Sequence, residues 1–238
     1  MLLTDRAYAS IFLNIAALFI LAGIVINTAI YRKRNRIEDR VFFLFLIDDM
    51  FIAVFDAAVA VCNHQTFPGA SVLNLVCMGG FYISVAVFCY LILIYMISRV
   101  WNKAEIVRKI EILLGIPILA VVLMYVIGVP NHLFIAVDET NSYYYASFYR
   151  LPVLIMTTYA VTAYVLAFVY RLRKRGQKYI PMVLYLLPFV AGGISTYVFH
   201  GISMTAIGLA VTFCYMHMGV MNEKFFGASE EGEEGSHV

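Results

Sequence analysis

Six long stretches of this sequence contain no Asp, Glu, Lys or Arg. Each reaches the roughly 18 residues that mark a candidate membrane-spanning helix, because about 20 residues at 1.5 Å rise cross a hydrocarbon core about 30 Å thick. The stretches are too long for strands and do not alternate apolar and polar residues, so a helix is the only spanning form left. A hydrophobic content of 63% exceeds the roughly 45–50% of soluble domains. The six stretches are 8–31, 71–98, 112–129, 151–170, 179–199 and 202–221.

A seventh stretch, 41–62, is interrupted only by three Asp residues. With seven spans, all but two of the 17 basic residues, Arg6 and Arg150, fall on one side of the membrane. Cytoplasmic loops carry the excess of Lys and Arg, so this distribution places the N-terminus outside and the C-terminus in the cytoplasm. The sequence therefore predicts an all-α integral membrane protein, a seven-transmembrane helix bundle that crosses the plasma (cytoplasmic) membrane many times.

The spans and their short loops form one membrane domain, 1–224, and no second soluble domain fits. Residues 225–238 are acidic and Gly-rich, which predicts a disordered tail. The longest outer loop, 130–150, alternates apolar and polar residues and then turns at Asp-Glu-Thr-Asn. Two interpretations of this loop stay open: a short hairpin over the outer mouth of the bundle, or an interfacial loop anchored by tyrosines.

The presence of three Asp residues inside the apolar second span needs a physical explanation. Asp49 and Asp56 are seven residues apart and return to within about 20° of one another on a helix, with Ala53 and Ala60 on the same stripe. Small residues favour close helix packing, so we expect this stripe to face the bundle interior, with Asp48 at its edge. A buried carboxylate costs a few kcal/mol and normally pairs or lines water. Both a structural network and a ligand, ion or proton site remain open.

The depth of each residue in the membrane indicates which side chains could be partners of these acids. Asp56 lies roughly 10 Å below the outer end, where the side chains of Arg150 and His200 enter. The other two acids lie in the inner half, where His217 also falls. The surplus of negative charge favours a cation, an amine or a proton as ligand. We expect the ligand-binding residues to be Asp49, Asp56, Arg150, His200, Asp138 and Tyr144, with Asp48 and His217 as a secondary polar network.

Several function classes are excluded or disfavoured. The sequence contains no nucleotide-binding loop, serine nucleophile elbow or HExxH motif, so we expect no enzyme activity and no cofactor. No His/Cys cluster has the spacing of a metal site. A retinal-binding rhodopsin needs a Lys in its last span, and 202–221 has none. The basic residues are accounted for by topology and by contact with anionic membrane lipids, not by nucleic acid.

Three places in the sequence resemble the N-terminal seven-helix membrane domain of bacterial signalling proteins. They are the basic turn and acid pair in 34–49, the outer loop in 131–149, and the last span in 200–223. In that family the domain precedes a diguanylate cyclase or, less often, a histidine kinase. The resemblance implies a sensor domain, and because no cyclase signature is present, we expect it to act in isolation or through a separate partner.

Three functions follow as hypotheses. The first is a membrane sensor or receptor that binds a small-molecule or cationic ligand in an outward-facing cavity and passes the signal to a cytoplasmic signalling module or within a homodimer. The second is a small transporter or proton-coupled permease, in which the same acids bind the coupling ion. The third is a membrane assembly factor that binds no ligand.

Overall fold

The structure is a computed structural model that describes residues 5–31, 37–101, 104–173, 188, 191 and 203–218. This part of the chain is mostly helical, with one small antiparallel sheet between the fourth and fifth helices. In chain order the elements are α1 (Asp5–Tyr31), α2 (Ile37–Cys62), α3 (Ala70–Val100), α4 (Ala104–Gly128), β1 (Ile135–Val137), β2 (Tyr143–Tyr145), α5 (Arg150–Arg173) and α6 (Thr205–Met218).

Four of the helices, α1, α3, α4 and α5, are long and apolar enough to cross a membrane. Large apolar side chains on them are exposed, among them Phe12 and Phe19 of α1 and Leu113 of α4, as expected for surfaces that contact lipid. The prediction of a helical membrane protein is confirmed at this level. α2 is 26 residues long but is not one of these four helices, and it carries Asp48, Asp49 and Asp56 within its apolar part. The count of seven spans and the orientation stay predictions.

Two predicted segments fall outside this account. The sixth predicted span, 179–199, lies outside the described residues except for 188 and 191. The acidic tail, 225–238, lies outside them entirely.

α3 is the centre of the bundle. It packs against α2, α4, α5 and β1, and most of its length is buried, whereas α1, α4 and α5 bury less than a third of their spans. α6 joins this core through Phe213, whose ring meets that of Phe45 on α2 edge-on at a centroid distance of 4.6 Å. The ring of Phe45 lies equally close, 4.6 Å, to that of Phe88 on α3. Three helices are thereby held by one aromatic cluster.

The close approach of α2 and α3 depends on Gly80. A Cβ atom built at Gly80 would lie only 2.5 Å from Cε1 of Phe55, so any larger residue would collide with this ring. The missing side chain lets Phe55 of α2 lie directly on the α3 backbone.

The segment between α4 and α5 forms the hairpin, which is one of the two alternatives that the sequence left open. β1 pairs with β2 in antiparallel register, with Ile135 opposite Tyr145 and Val137 opposite Tyr143. Ile135 is completely buried, and β1 rests on α3. The hairpin therefore belongs to the folded core at the end of the bundle where α2 ends and α3 begins. This end is called the hairpin end below.

Candidate functional site: a carboxylate cluster beneath the hairpin

The acidic stripe of α2 faces the bundle interior, as the helical spacing predicted. Asp49 and Ala53 are completely buried, and Asp48 is only 8% exposed. Asp56 and Ala60, which lie nearer the hairpin end, are half-buried. α2 thus presents one carboxyl group near the hairpin end and two deeper in the bundle.

Asp56 is held by neutral polar groups. The side-chain nitrogen Nδ2 of Asn14 donates a hydrogen bond to Oδ2 of Asp56 at 3.0 Å and a second one to the carbonyl oxygen of Ser10, also at 3.0 Å. The side chain of Ser203 lies close to the Asp56 carboxylate. The backbone N–H of Ser203 donates to Oγ of Ser10 at 3.1 Å. These residues, Ser10, Asn14, Asp56 and Ser203, are called the Asp56 cluster below.

The Asp56 cluster contains an unsatisfied polar atom. Asn14 is only 1% exposed, and its buried Oδ1 oxygen has no hydrogen-bond donor among the described residues. A buried polar atom without a partner costs about 1–3 kcal/mol, and native proteins rarely leave one empty. No basic side chain among the described residues pairs with Asp56. The cluster therefore offers a carboxylate and a free carbonyl oxygen without a countercharge from this part of the chain.

The hairpin brings Tyr143 into the electrostatic neighbourhood of Asp56. Burial raises the pKa of Tyr143 to about 12, with smaller contributions from Tyr145 and from the Asp56 carboxylate. The adjacent Tyr144, which the sequence placed in the site, is instead 53% exposed. One tyrosine of β2 is thus near the acid, and it is a different one from the residue expected.

Asp138 organises the turn of the hairpin. Its Oδ1 accepts hydrogen bonds from the backbone N–H of Thr140 at 2.9 Å, from the Thr140 hydroxyl at 2.7 Å and from the backbone N–H of Ser142 at 2.9 Å. The hydrogen bond from the Thr140 side chain is the main cause that lowers the pKa of the exposed Asp138 carboxyl. The structure gives Asp138 a local structural role and does not bring it into the Asp56 cluster.

Asn141 fastens the hairpin to the loop between α2 and α3. It is buried and has a left-handed backbone, φ 57°, which Asn tolerates better than most residues. Its Nδ2 donates to the carbonyl oxygens of Cys62 at 2.9 Å and Gln65 at 3.0 Å. Asn74 of α3 donates to the backbone oxygen of Asn141 at 3.0 Å. The hairpin is therefore fixed to the ends of both helices next to Asp56.

A group of tyrosines attaches the other side of the hairpin to α3. The hydroxyl of Tyr82 lies 3.1 Å from that of Tyr145 and 3.0 Å from that of Tyr149. The rings of Tyr145 and Tyr149 stack with a centroid distance of 4.1 Å. Tyr145 remains 51% exposed, so these contacts attach one side of the strand to α3 and leave the other side accessible.

Among the described residues, three of the four carboxylate oxygens of the two deeper acids are buried without a hydrogen-bond partner. Both carboxylate oxygens of Asp49 and Oδ2 of Asp48 are buried without a hydrogen bond in the described structure. His217, which the sequence placed at the same depth, interacts with α1: its ring nitrogens lie 3.2 Å from Oδ1 of Asn27 and 3.5 Å from Oγ1 of Thr28. Of the predicted secondary network, Asp48 therefore lies beside Asp49 on α2, and His217 contacts α1.

The remaining predicted residues are not brought to Asp56 by the described structure. Arg150 is the first residue of α5 and is exposed, and His200 lies outside the described residues. Sequence reasoning missed Ser10 and Asn14 as partners of the acid. They are four residues apart and hence on one face of α1, and this polar pair within an apolar span is the signal that could have revealed them.

Comparison with protein-family models, with curated proteins and with solved structures found no match. The resemblance to bacterial seven-helix sensor domains therefore stays a prediction from the sequence.

Proposed function

We propose that this chain is a membrane-embedded sensor or receptor domain for signal transduction, which binds a small cationic ligand at the Asp56 cluster. In this proposal the hairpin end faces outward, seven helices span the plasma membrane, and the C-terminus is cytoplasmic. The distribution of Lys and Arg along the chain supports this orientation. The four long apolar helices support a multi-pass membrane protein.

The observation that carries the proposal is the connection between Asp56 and α6. Ser203, two residues before the start of α6, lies close to the Asp56 carboxylate and donates its backbone N–H to Oγ of Ser10 on α1. Near the far end of α6, His217 contacts α1. A cation at Asp56 replaces part of the polar contacts of Asn14 and Ser203 with direct coordination, so its binding draws the start of α6 closer to α1 and α2.

The far end of α6 lies about 20 Å away, because 14 residues rise 1.5 Å each. A shift of α6 changes the helix surface at that end, where a cytoplasmic signalling module or the second copy in a homodimer would respond. The resemblance to bacterial seven-helix sensor domains supports the same direction of signalling.

Hydrogen exchange of the full chain in lipid nanodiscs tests this proposal without knowledge of the ligand. Asp56→Asn removes the charge but keeps the shape, and Asp56→Leu removes the hydrogen bonds as well. We expect both variants to change the exchange of amides around His217 at the far end of α6. Glu105→Gln, which neutralises an exposed acid on α4, is the matched control and should leave α6 unchanged. Changes confined to the first turn of α6 would refute a signalling role.

A second function, a small transporter or permease, is favoured by one specific observation. Asp56, Asp49 and Asp48 form a series of carboxyl groups along α2 that runs from the hairpin end into the bundle, and the two deeper acids have unpartnered oxygens. Such acids mark ion pathways in transporters. Flux of Na⁺ or protons into liposomes that is abolished by both Asp49→Asn and Asp56→Asn would replace the sensor proposal. No effect of any Asp→Asn change in either assay would favour the assembly factor.

A further inference from the structure

The chemistry of the Asp56 cluster narrows the class of ligand. Its groups are oxygens: the Asp56 carboxylate, the unpartnered Oδ1 of Asn14, and the hydroxyls of Ser10 and Ser203. Carboxylate, amide carbonyl and hydroxyl oxygens are the ligands that hard metal cations prefer, whereas thiolate and imidazole are absent from the cluster. The set therefore suits an alkali or alkaline-earth cation better than a transition metal.

The charge of the cluster favours a monovalent ion. Asp56 is its only ionisable side chain. The next acid along the same face of α2, Asp49, is seven residues away, about 10 Å along the axis. One carboxylate neutralises one positive charge, and a divalent ion would keep an uncompensated charge inside the bundle, which is costly at membrane depth.

The burial of Ser10 and Asn14 argues against an organic amine as the ligand of the Asp56 cluster. Ser10 and Asn14 are 3% and 1% exposed, so the orphan Oδ1 of Asn14 is surrounded by protein atoms. An ion needs only the space of a few oxygen contacts, whereas the carbon skeleton of an amine would have to displace part of α1. The orphan oxygen is an independent indication of an absent partner, because native structures seldom bury such an atom unpaired.

We propose that Ser10, Asn14, Asp56 and Ser203 form a site for a monovalent alkali cation of the size of Na⁺. This inference rests on the proposed function, since it names the cation that the sensor detects. The cation is coordinated by Asp56 and by Oδ1 of Asn14, which gains the partner it lacks. The hydroxyl oxygens of Ser10 and Ser203 complete the protein ligands, so the ion joins α1, α2 and the start of α6. Binding of Na⁺ therefore stabilises the packing of these three segments.

The test measures thermal unfolding of the purified full chain in nanodiscs, titrated with NaCl, LiCl, KCl or choline chloride at constant ionic strength. We expect the melting temperature to rise with Na⁺ in a saturable manner and not with choline. Asp56→Asn should abolish this Na⁺-dependent rise. Asn14→Ala should weaken the apparent Na⁺ affinity about tenfold or more, which corresponds to the loss of a coordinating group. Glu105→Gln, which neutralises an exposed acid on α4, is the matched control and should retain the response.

A second measurement covers variants that fold poorly. Binding of radioactive ²²Na⁺ to wild-type nanodiscs, competed by LiCl, KCl or protons, reports the site directly. Equal stabilisation by NaCl and choline chloride, or absence of saturable ²²Na⁺ binding, would overturn the inference. Loss of the Na⁺ effect in Asp49→Asn with retention in Asp56→Asn would also overturn it, since the ion would then bind the deeper acids.

The two proposals can fail separately. Na⁺ binding that depends on Asp56, without any change at the far end of α6, leaves the cation site standing and refutes the sensor. A change at the far end of α6 in Asp56→Asn without Na⁺ binding in the wild type leaves the sensor standing and refutes the cation site.

Discussion

Asn141→Ala should release the hairpin from the bundle. The substitution removes the side-chain hydrogen bonds to the carbonyl oxygens of Cys62 and Gln65, each with a net contribution of about 1 kcal/mol. It also places Ala at φ 57°, which costs roughly 1 kcal/mol more than Asn at a left-handed position. Asn74 loses its longer bond to Oδ1 of Asn141, at 3.3 Å, but keeps the bond from the same Nδ2 to the backbone oxygen of residue 141 at 3.0 Å, so it adds little to the loss. We expect docking of the hairpin to weaken by about 3 kcal/mol.

The assay is hydrogen exchange of the hairpin amides in nanodiscs. The N–H groups of Asp138 and Asn141 are hydrogen-bonded within the turn and exchange when the hairpin opens. A loss of about 3 kcal/mol accelerates this exchange roughly a hundredfold, since 1.4 kcal/mol corresponds to a factor of ten. Asn141→Gly removes the same side-chain bonds without the strain at positive φ, so its exchange should lie about fivefold to tenfold below that of Asn141→Ala.

Asn131→Ala is the matched control, because Asn131 is exposed and has a single side-chain bond, to the carbonyl oxygen of Ile127 at 2.7 Å. It should leave the exchange of the hairpin amides within about twofold of wild type. If Asn141→Ala behaved like Asn131→Ala, the buried contacts of Asn141 would not hold the hairpin. The interpretation that Asn141 fixes the hairpin to the ends of α2 and α3 would then be wrong.

Three further predictions concern the hairpin and its supports. The folded pKa of Asp138 lies below its ordinary value of 3.8, so the stability that its carboxylate gives to the turn is present above pH 3.8 and is lost as the pH falls through the folded pKa. In the wild type, amide exchange of the turn, corrected for the intrinsic exchange rate, should therefore accelerate in that pH range. In Asp138→Asn the corrected exchange should be independent of pH. Gly80→Ala should destabilise the chain by roughly 1–3 kcal/mol in thermal unfolding because its Cβ collides with Phe55, whereas Gly23→Ala, with open space around its Cβ, should not destabilise it. Tyr82→Phe should weaken hairpin protection by about 1 kcal/mol because both hydroxyl partners lose their bond, and unchanged exchange would contradict this.

The sequence was sufficient to predict long apolar helices, and it offered the hairpin as one of two alternatives, because both depend on local properties. A spanning helix satisfies its own backbone hydrogen bonds, so a long uncharged stretch already defines its extent. The predicted stretches 71–98 and 151–170 agree with α3 (Ala70–Val100) and α5 (Arg150–Arg173) to within a few residues. The inward face of Asp49 and Ala53 likewise follows from helical spacing alone.

The partners of Asp56 were decided only by the tertiary structure. The sequence ranked Arg150 and His200 by depth and charge, yet the described partners are Asn14, 42 residues earlier, and Ser203. Depth fixes which side chains share a level of the bundle, but the rotation and neighbours of each helix decide which of them meet. These depend on the packing of small and aromatic residues from all helices together, a property that hydropathy and charge do not contain.

The attachment of the hairpin shows the same division. Alternation and a turn signal made a hairpin one of the two alternatives, but nothing local indicated that Asn141 would be buried against the loop between α2 and α3. That contact joins residues more than 70 positions apart and requires α2, α3 and the hairpin to be assembled first. The sequence alone thus determined the long apolar helices and the acidic face, and it left the strands as one of two alternatives. The tertiary structure decided that Asp56 is bonded to neutral groups beneath a fixed hairpin, because that outcome depends on which helix faces meet.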